Sequence, residues 1–512
     1  MSILSGLLKI SILMLVAVVV CACLQMCKVY YAMGFYRKQG IRTYFDPLLG
    51  LFGVFLRKRK DRTRRLDEHV ADFVKNDYER GAIVHSGIAC ERPTICLLTA
   101  EYVREFFAQE DKFVRKSLIP IGEGVVGFFD RQGPTVQKER NLFQEVFHYE
   151  KVKSLVPSFL REIEKGLSKF IEVKKITKNS YTNINLSEIL DSIVFKMSLI
   201  LIFSNEDLPE DSAEVQIAMN AKAIVESGLK LMMNPMISLF PQLFRAFPFL
   251  NSGITDMLKI DKKQKVLLTK FVAQKETELL EGKSAFDRIM IYNKKCKEEG
   301  RLEDIMSINS IMGIINGLSF ASFDTSLNTA ILNLCVIAER PDIKEKLDKI
   351  ADEIYDKDGI TTADIADAHE ELSMYIKEAL RLESPILSLV GRIAVRDVNI
   401  KDIRVRKGDE VLIFLAPLML DTKYFSDAST FQFDRFSKEN KKKYGYPKFQ
   451  IPTFGLGKRA CIGRNLGELT AKLLLTTFCR RFEIMKPGNV QYYDTVGATR
   501  CAENPFVNLK LK

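Results

Sequence analysis

The hydrophobic and polar positions divide the chain near its start. No charged residue occurs from Ile10 to Cys27, and the centre of that stretch is a continuous apolar run from Ile12 to Val20. As a helix rising ~1.5 Å per residue it reaches ~27 Å, just enough to span a bilayer. Lys9 alone precedes it, whereas Lys28, Arg37, Lys38 and Arg42 follow. The positive-inside rule then places the larger C-terminal part on the cytosolic side. The alternative is a cleaved signal peptide, but the apolar stretch is longer than a usual signal core and the flanking charge is distributed the other way. The spacing therefore predicts a single-pass signal anchor over residues 1–30, a basic linker over 31–65 and one large domain over 66–512.

Beyond the linker, short β-branched runs at Ala82-Ile83-Val84 and from Thr94 to Leu98 predict strands. Helical periodicity then dominates, with amphipathic stretches near 139–174, 185–204, 212–233, 259–281 and 364–383. Strand-like alternation returns at Ile403, Val405 and Val411-Leu412-Ile413. The class is mainly α with a smaller β portion. From Ile305 to Ala338 the only charge is Asp324, but asparagines and serines along the stretch exclude lipid exposure and predict a long core helix ending before Pro341. A Met-, Phe- and Pro-rich segment from Leu231 to Leu250 is too broken to span. It reads either as core or as an apolar surface that dips into the membrane.

Composition narrows the partners. Lys and Arg number 76 against 65 Asp and Glu, a formal charge of +11, which favours acidic surfaces. Zinc-finger spacing, an RNP-like strand and a helix-turn-helix are all missing, so nucleic acid is not expected. The densest basic run, from Arg57 to Arg65, has lipid headgroups as its nearest counter-charge. Ten cysteines show no CxxC pair, and four histidines are too dispersed for a zinc cluster or a facial triad. If iron is bound, a cysteine is to be considered as its ligand.

The chemistry concentrates at Phe454-Gly455-Leu456-Gly457-Lys458-Arg459-Ala460-Cys461-Ile462-Gly463, which a helical pattern follows. A cysteine at a helix start has its thiolate stabilised by backbone N–H groups and the helix dipole, and nearby glycines let a flat ligand approach the backbone. An inert buried thiol and an activated nucleophile are the competing readings; no histidine nearby in sequence serves the second as a base. The loop resembles the haem-binding motif Phe-x-x-Gly-x-Arg-x-Cys-x-Gly of the cytochrome P-450 family and matches every fixed position.

That resemblance covers nearly all of the chain beyond the anchor and orders several other residues. Glu378 and Arg381, at i, i+3 on a helix, followed by Arg435 in Phe433-Asp434-Arg435-Phe436, are similar to the family's structural salt-bridge network, with Phe433 in place of the usual proline. Ala321-Ser322-Phe323-Asp324-Thr325-Ser326 is similar to its oxygen-binding segment, with Ser322 replacing glycine. The resemblance implies that Asp324 and Thr325 are catalytic, organising water and delivering protons. It implies that Cys461 is the iron ligand, and that Phe454, Arg459, Arg140 and Arg392 also contact the cofactor, haem b (iron protoporphyrin IX). Val136 stands where the family usually has tryptophan, ahead of Arg140, and the chain has no Trp.

The implied whole is a cytochrome P-450 fold preceded by one N-terminal transmembrane helix in the endoplasmic reticulum membrane, with residues 66–512 as the catalytic domain facing the cytosol. The implied activity is monooxygenation of a lipophilic small molecule by dioxygen, with electrons from an NADPH-dependent flavoprotein reductase. Lys441, Lys442, Lys443, Lys458, Arg459 and Arg464 offer that partner a basic surface. A haem-thiolate isomerase and a non-catalytic membrane-tethered binding protein are the rival readings; Asp324-Thr325 argues against the first and the Cys461 loop against the second.

Overall fold

The computed structural model describes residues 2–45, 66–86, 92–116, 127, 133–204, 208–232, 234, 236–237, 241–278, 282, 284–356, 361–362, 369–445, 452–488, 492–496 and 499–512. The basic run expected in the linker lies outside the described residues. The chain forms two compact units, one of residues 1–121, 230–251 and 388–418, the other of 122–229, 252–387 and 419–512.

The first unit holds the N-terminal helix α1 (Ser2–Arg37) and a six-stranded mixed sheet. Its strands are β1 (Thr43–Phe45), β2 (Ala82–Ser86), β3 (Thr94–Leu97), β4 (Phe113–Arg115), β5 (Ser388–Ala394) and β6 (Glu410–Phe414). They run in the order β1-β2-β3-β6-β5-β4, with parallel pairs β1/β2 and β3/β6. Thirty-six residues of helix extend ~54 Å, and the two ends differ in surroundings. Val16, Val19, Val20 and Leu24 are exposed, whereas Val29, Met33 and Tyr36, one helical face, are buried. Tyr36 donates its hydroxyl to Asp409 Oδ2 at 2.6 Å, and Arg406 donates to the same oxygen at 3.0 Å and to the Ala32 carbonyl at 3.2 Å. The end of α1 is thereby tied to the turn before β6.

The second unit is mainly helical. Its elements include α2 (Pro134–Gln144), α3 (Ala213–Met232, in this unit up to Leu229), α4 (Ile308–Glu339), α5 (Glu370–Leu382) and α6 (Arg464–Arg481), with the hairpin β7 (Tyr493–Val496) and β8 (Arg500–Glu503). Local signals set several boundaries. Ser307 caps α4 by accepting from Ser310 N at 3.2 Å, and Pro341 opens the helix that follows. His369 caps α5 by accepting from Leu372 N. The amphipathic stretch predicted at 139–174 is three helices, because the chain turns after Gln144 and again at Leu155, and Pro157 starts the last one.

Helix α4 is long and apolar enough to cross a membrane, yet it is the core of this unit. Residues 311–319 and 327–335 are buried, and α6 and the helix Leu186–Phe203 pack on it. Its asparagines are satisfied as a protein interior requires. Asn316 accepts from Gln264 at 2.9 Å, and Asn333 donates to the Thr329 carbonyl while accepting from Tyr375.

Candidate functional site

Cys461 sits three residues ahead of α6, after the 3-10 turn Gly457–Arg459. Its backbone N–H closes onto the Phe454 carbonyl at 2.7 Å, making the segment between them a tight loop. Gly455 and Gly457 both adopt φ of +69°, a conformation that L side chains resist. The Phe454 ring lies beside Gly467 on α6, where even a Cβ would stand at 3.4 Å, ordinary contact distance. The thiol itself is exposed, whereas Cys96, Cys296, Cys335 and Cys479 are buried. Burial pushes the Cys479 thiol up to about 12, so it stays protonated and inert.

Arg140 on α2 reaches this loop, donating from Nη2 to the Ala460 carbonyl at 2.8 Å. Val136, one turn earlier, is buried in the core in the place where the family usually has tryptophan. Arg459 is half-buried at the end of the 3-10 turn. Arg392 belongs to the other unit, on β5, where its Nη1 donates to the Val390 carbonyl at 2.8 Å.

The middle of α4 is the one part of its core stretch that opens. Between the two buried segments, Phe320, Ala321, Ser322, Asp324, Thr325 and Ser326 are partly accessible. Thr325 and Ser322 bond back to the carbonyls of Ala321 and Leu318, each at 2.7 Å. The serine that replaces glycine thus folds its hydroxyl onto its own helix. Asp324 accepts from Thr499 at 2.6 Å. Burial raises its pKa above the ordinary carboxylate value, with Glu226 adding to the rise; the Thr499 hydrogen bond and Lys222 oppose it.

Glu378, Arg381 and Arg435 meet in the core. Arg381 grips Glu378 with two bonds, 2.7 and 2.8 Å, and Arg435 Nε adds a third at 2.9 Å. One carboxylate faces two guanidinium groups, and the excess positive charge is met by backbone carbonyls. Arg381 donates to Met419 and Ala428, and Arg435 to Ser426, Asp427 and Thr430. All three side chains are at most 1% exposed. Phe433, in the position of the usual proline, is buried against Tyr375 at 5.9 Å between ring centroids.

Two features of the site were not legible in the sequence. One is Thr499 as partner of Asp324. The other is a buried ion pair between Arg500 and Glu383 at 2.7 Å. Both join residues more than 100 positions apart, and no local pattern marks them.

Comparison with known proteins decides the family. The profile described as Cytochrome P450 matches residues 51–495. The chain belongs to the cytochrome P450 family. It is 32% identical to Cytochrome P450 3A41 of Mus musculus over 248 residues, 46% of this chain and 47% of that protein. With Cytochrome P450 72A68 of Medicago truncatula it shares 24% identity over 409 residues, 76% and 74% of the two chains. With Cytochrome P450 3A7 of Homo sapiens the figures are 26% over 416 residues and 77% of each. The mouse match thus spans about half the length of that relative.

Members of the cytochrome P450 family hold haem b through a cysteine thiolate. The residues present fit that group. The chemistry of the donor set is a single thiolate-forming side chain, Cys461, which suits an iron whose other ligands come from a porphyrin. The protein's part is one accessible sulphur on a glycine-containing loop.

Proposed function

We propose that this cytochrome P450 is a membrane-anchored monooxygenase that inserts one oxygen atom of dioxygen into a lipophilic small molecule and releases the other as water. Its electrons arrive singly from an NADPH-dependent flavoprotein reductase. The observation that carries this reading is the Cys461 loop, closed by the Cys461 N–H to Phe454 carbonyl bond and matching the haem-binding motif at every fixed position. Bound haem supplies the redox chemistry, and a thiolate ligand donates electron density that favours O–O cleavage.

The chain's own residues supply the rest. Cys461 holds the iron, and Phe454 packs beside the loop. Arg459 and Arg140 carry guanidinium groups whose planar fork suits the haem carboxylates. Arg140 also steadies the loop through the Ala460 carbonyl. Asp324 and Thr325, on the accessible face of α4, hold and move protons during oxygen reduction; a carboxyl whose pKa is raised is better matched to that task near neutral pH. Glu378, Arg381 and Arg435 are structural, bracing the segment from 419 to 435 that leads into the cysteine loop.

The apolar first half of α1, with Val16, Val19, Val20 and Leu24 exposed, supports a single-pass anchor in the endoplasmic reticulum membrane with residues 66–512 on the cytosolic side. Phe247, Phe249 and Leu250 are exposed as well and add an apolar surface for the bilayer and its dissolved substrates. For the reductase, the helix Lys438–Tyr444 presents Lys441, Lys442 and Lys443. Partial burial and repulsion from Lys441, Lys472 and Arg464 depress the pKa of nearby Lys377, against the pull of Glu468, so an acidic partner would relieve concentrated positive charge.

Thr325→Ala is expected to retain the thiolate spectrum but to lower product per electron consumed, by about 10²-fold if a full general-acid contribution is lost. NADPH oxidation and product formation, measured side by side, give the ratio. The function as a whole is tested by combining the purified full-length holoenzyme with reductase and NADPH, using lipophilic compounds selected by substrate-induced spectral shifts. Product that forms only with reductase supports the monooxygenase. Turnover that needs no reductase identifies an isomerase or dehydratase instead.

A further inference from the structure

We propose that Thr499 is a positioning residue for Asp324, fixing the carboxyl of the core helix through a hydroxyl delivered from the C-terminal hairpin. Thr499 Oγ1 donates to Asp324 Oδ2 at 2.6 Å and accepts from Asn328 Nδ2 at 2.8 Å; the same amide donates to the Asp324 backbone carbonyl at 3.0 Å. The three groups close a small ring on one face of α4. Asp324 is thus held in one orientation by a partner 175 positions away.

That partner is itself held rigidly. Arg500, the next residue, has no exposed side-chain surface. It donates from Nη2 to Glu383 at 2.7 Å and from Nη1 to the Leu382 carbonyl at 2.8 Å, and its backbone N–H bonds the Pro385 carbonyl at 2.7 Å. Three bonds therefore clamp the start of β8 to the end of α5, and Thr499 cannot drift from the acid without breaking them. The clamp also neutralises Arg500, so the hairpin brings a neutral donor to Asp324 rather than a charge.

The charges that act on the carboxyl come from α3, where Lys222 lowers its proton affinity and Glu226 raises it. Lys222 is paired with Asp191 at 3.2 Å and lies 3.8 Å from the centroid of the Phe323 ring, so its charge is already shared. The direct, charge-assisted bond to the carboxylate is the one from Thr499, and it opposes the effect of burial. The inference rests on the reading of Asp324 as a proton-handling group and adds what sets its orientation and proton affinity.

The test uses the purified holoenzyme at rest. The infrared C=O stretch of a protonated carboxyl, assigned by its absence in Asp324→Asn, is followed against pH in the wild type, Thr499→Val and Thr499→Ser. Thr499→Val keeps the side-chain shape and removes the donor. It is expected to move the midpoint upward, a roughly tenfold rise in proton affinity for loss of one hydrogen bond to a charged group. Thr499→Ser is expected to restore the wild-type midpoint, and product per electron is expected to fall with valine and recover with serine. A midpoint unchanged in Thr499→Val overturns the proposal. A shifted midpoint together with unaltered coupling in Asp324→Asn upholds the positioning role and instead overturns proton delivery by Asp324.

Discussion

Cys461→Ala is expected to abolish the red-shifted thiolate–CO Soret band and all reductase-supported turnover while leaving the fold intact. The side chain is exposed and sits in a loop whose closure depends on its backbone, through the bond from its N–H to the Phe454 carbonyl. Alanine keeps that bond and removes only the sulphur, so the polypeptide fold should persist, while the stabilisation that bound haem lends to the folded state falls with the loss of its ligand. Cys479→Ala makes the contrast. That thiol is fully buried and held protonated, so its loss should cost stability by opening a small cavity but leave the spectrum unchanged. Reduced-minus-reduced-CO spectra of the two variants, each with a thermal unfolding curve, separate the ligand from the core thiol.

The second large effect is expected at the buried charge network. Arg435→Leu leaves Glu378 facing Arg381 alone and deprives the carbonyls of Ser426, Asp427 and Thr430 of their donor. Glu378→Gln is more severe electrostatically, since two guanidinium groups then share a site with no carboxylate. Breaking a buried network by removing one member costs about 3–5 kcal/mol. Against a total stability of about 5–15 kcal/mol for a typical protein, that is a large fraction. Both variants should accumulate with little haem and unfold at markedly lower temperature, as haem content per polypeptide and differential scanning calorimetry would show. Arg435→Lys should rescue only in part, because one ammonium cannot replace the five donors of a guanidinium.

How much of this was legible beforehand depended on distance along the chain. The Cys461 loop could be read because its determinants are contiguous: positive-φ turns at Gly455 and Gly457, the sulphur and the start of α6 all fall within about ten residues. Helix α4 was legible because a long apolar stretch with scattered asparagines has few other ways to satisfy its polar groups. The Glu378–Arg381 pair follows from helical spacing, and Arg435 became credible through its order in the chain.

The remaining features are pairings that sequence periodicity does not encode. Arg140 bonds a backbone carbonyl, which any residue at position 460 could offer. Thr499 and Arg500 act on Asp324 and Glu383 across more than 100 residues, and hydroxyls and arginines are common enough on surfaces that neither draws attention. The three departures from the family pattern were visible as letters, but their outcome was not. Val136 is absorbed into the core, Phe433 packs on Tyr375, and Ser322 bonds back to Leu318. Each is a matter of packing or rotamer choice that depends on the neighbouring element.

The central claim is that Cys461 presents a thiolate to haem iron. The most direct measurement is the absorption spectrum of the purified full-length protein, reduced and exposed to carbon monoxide. A red-shifted thiolate–CO Soret band, present in the wild type and lost in Cys461→Ala, is the predicted result. Haem bound in full amount without that band, or a band that survives in Cys461→Ala, would contradict the account.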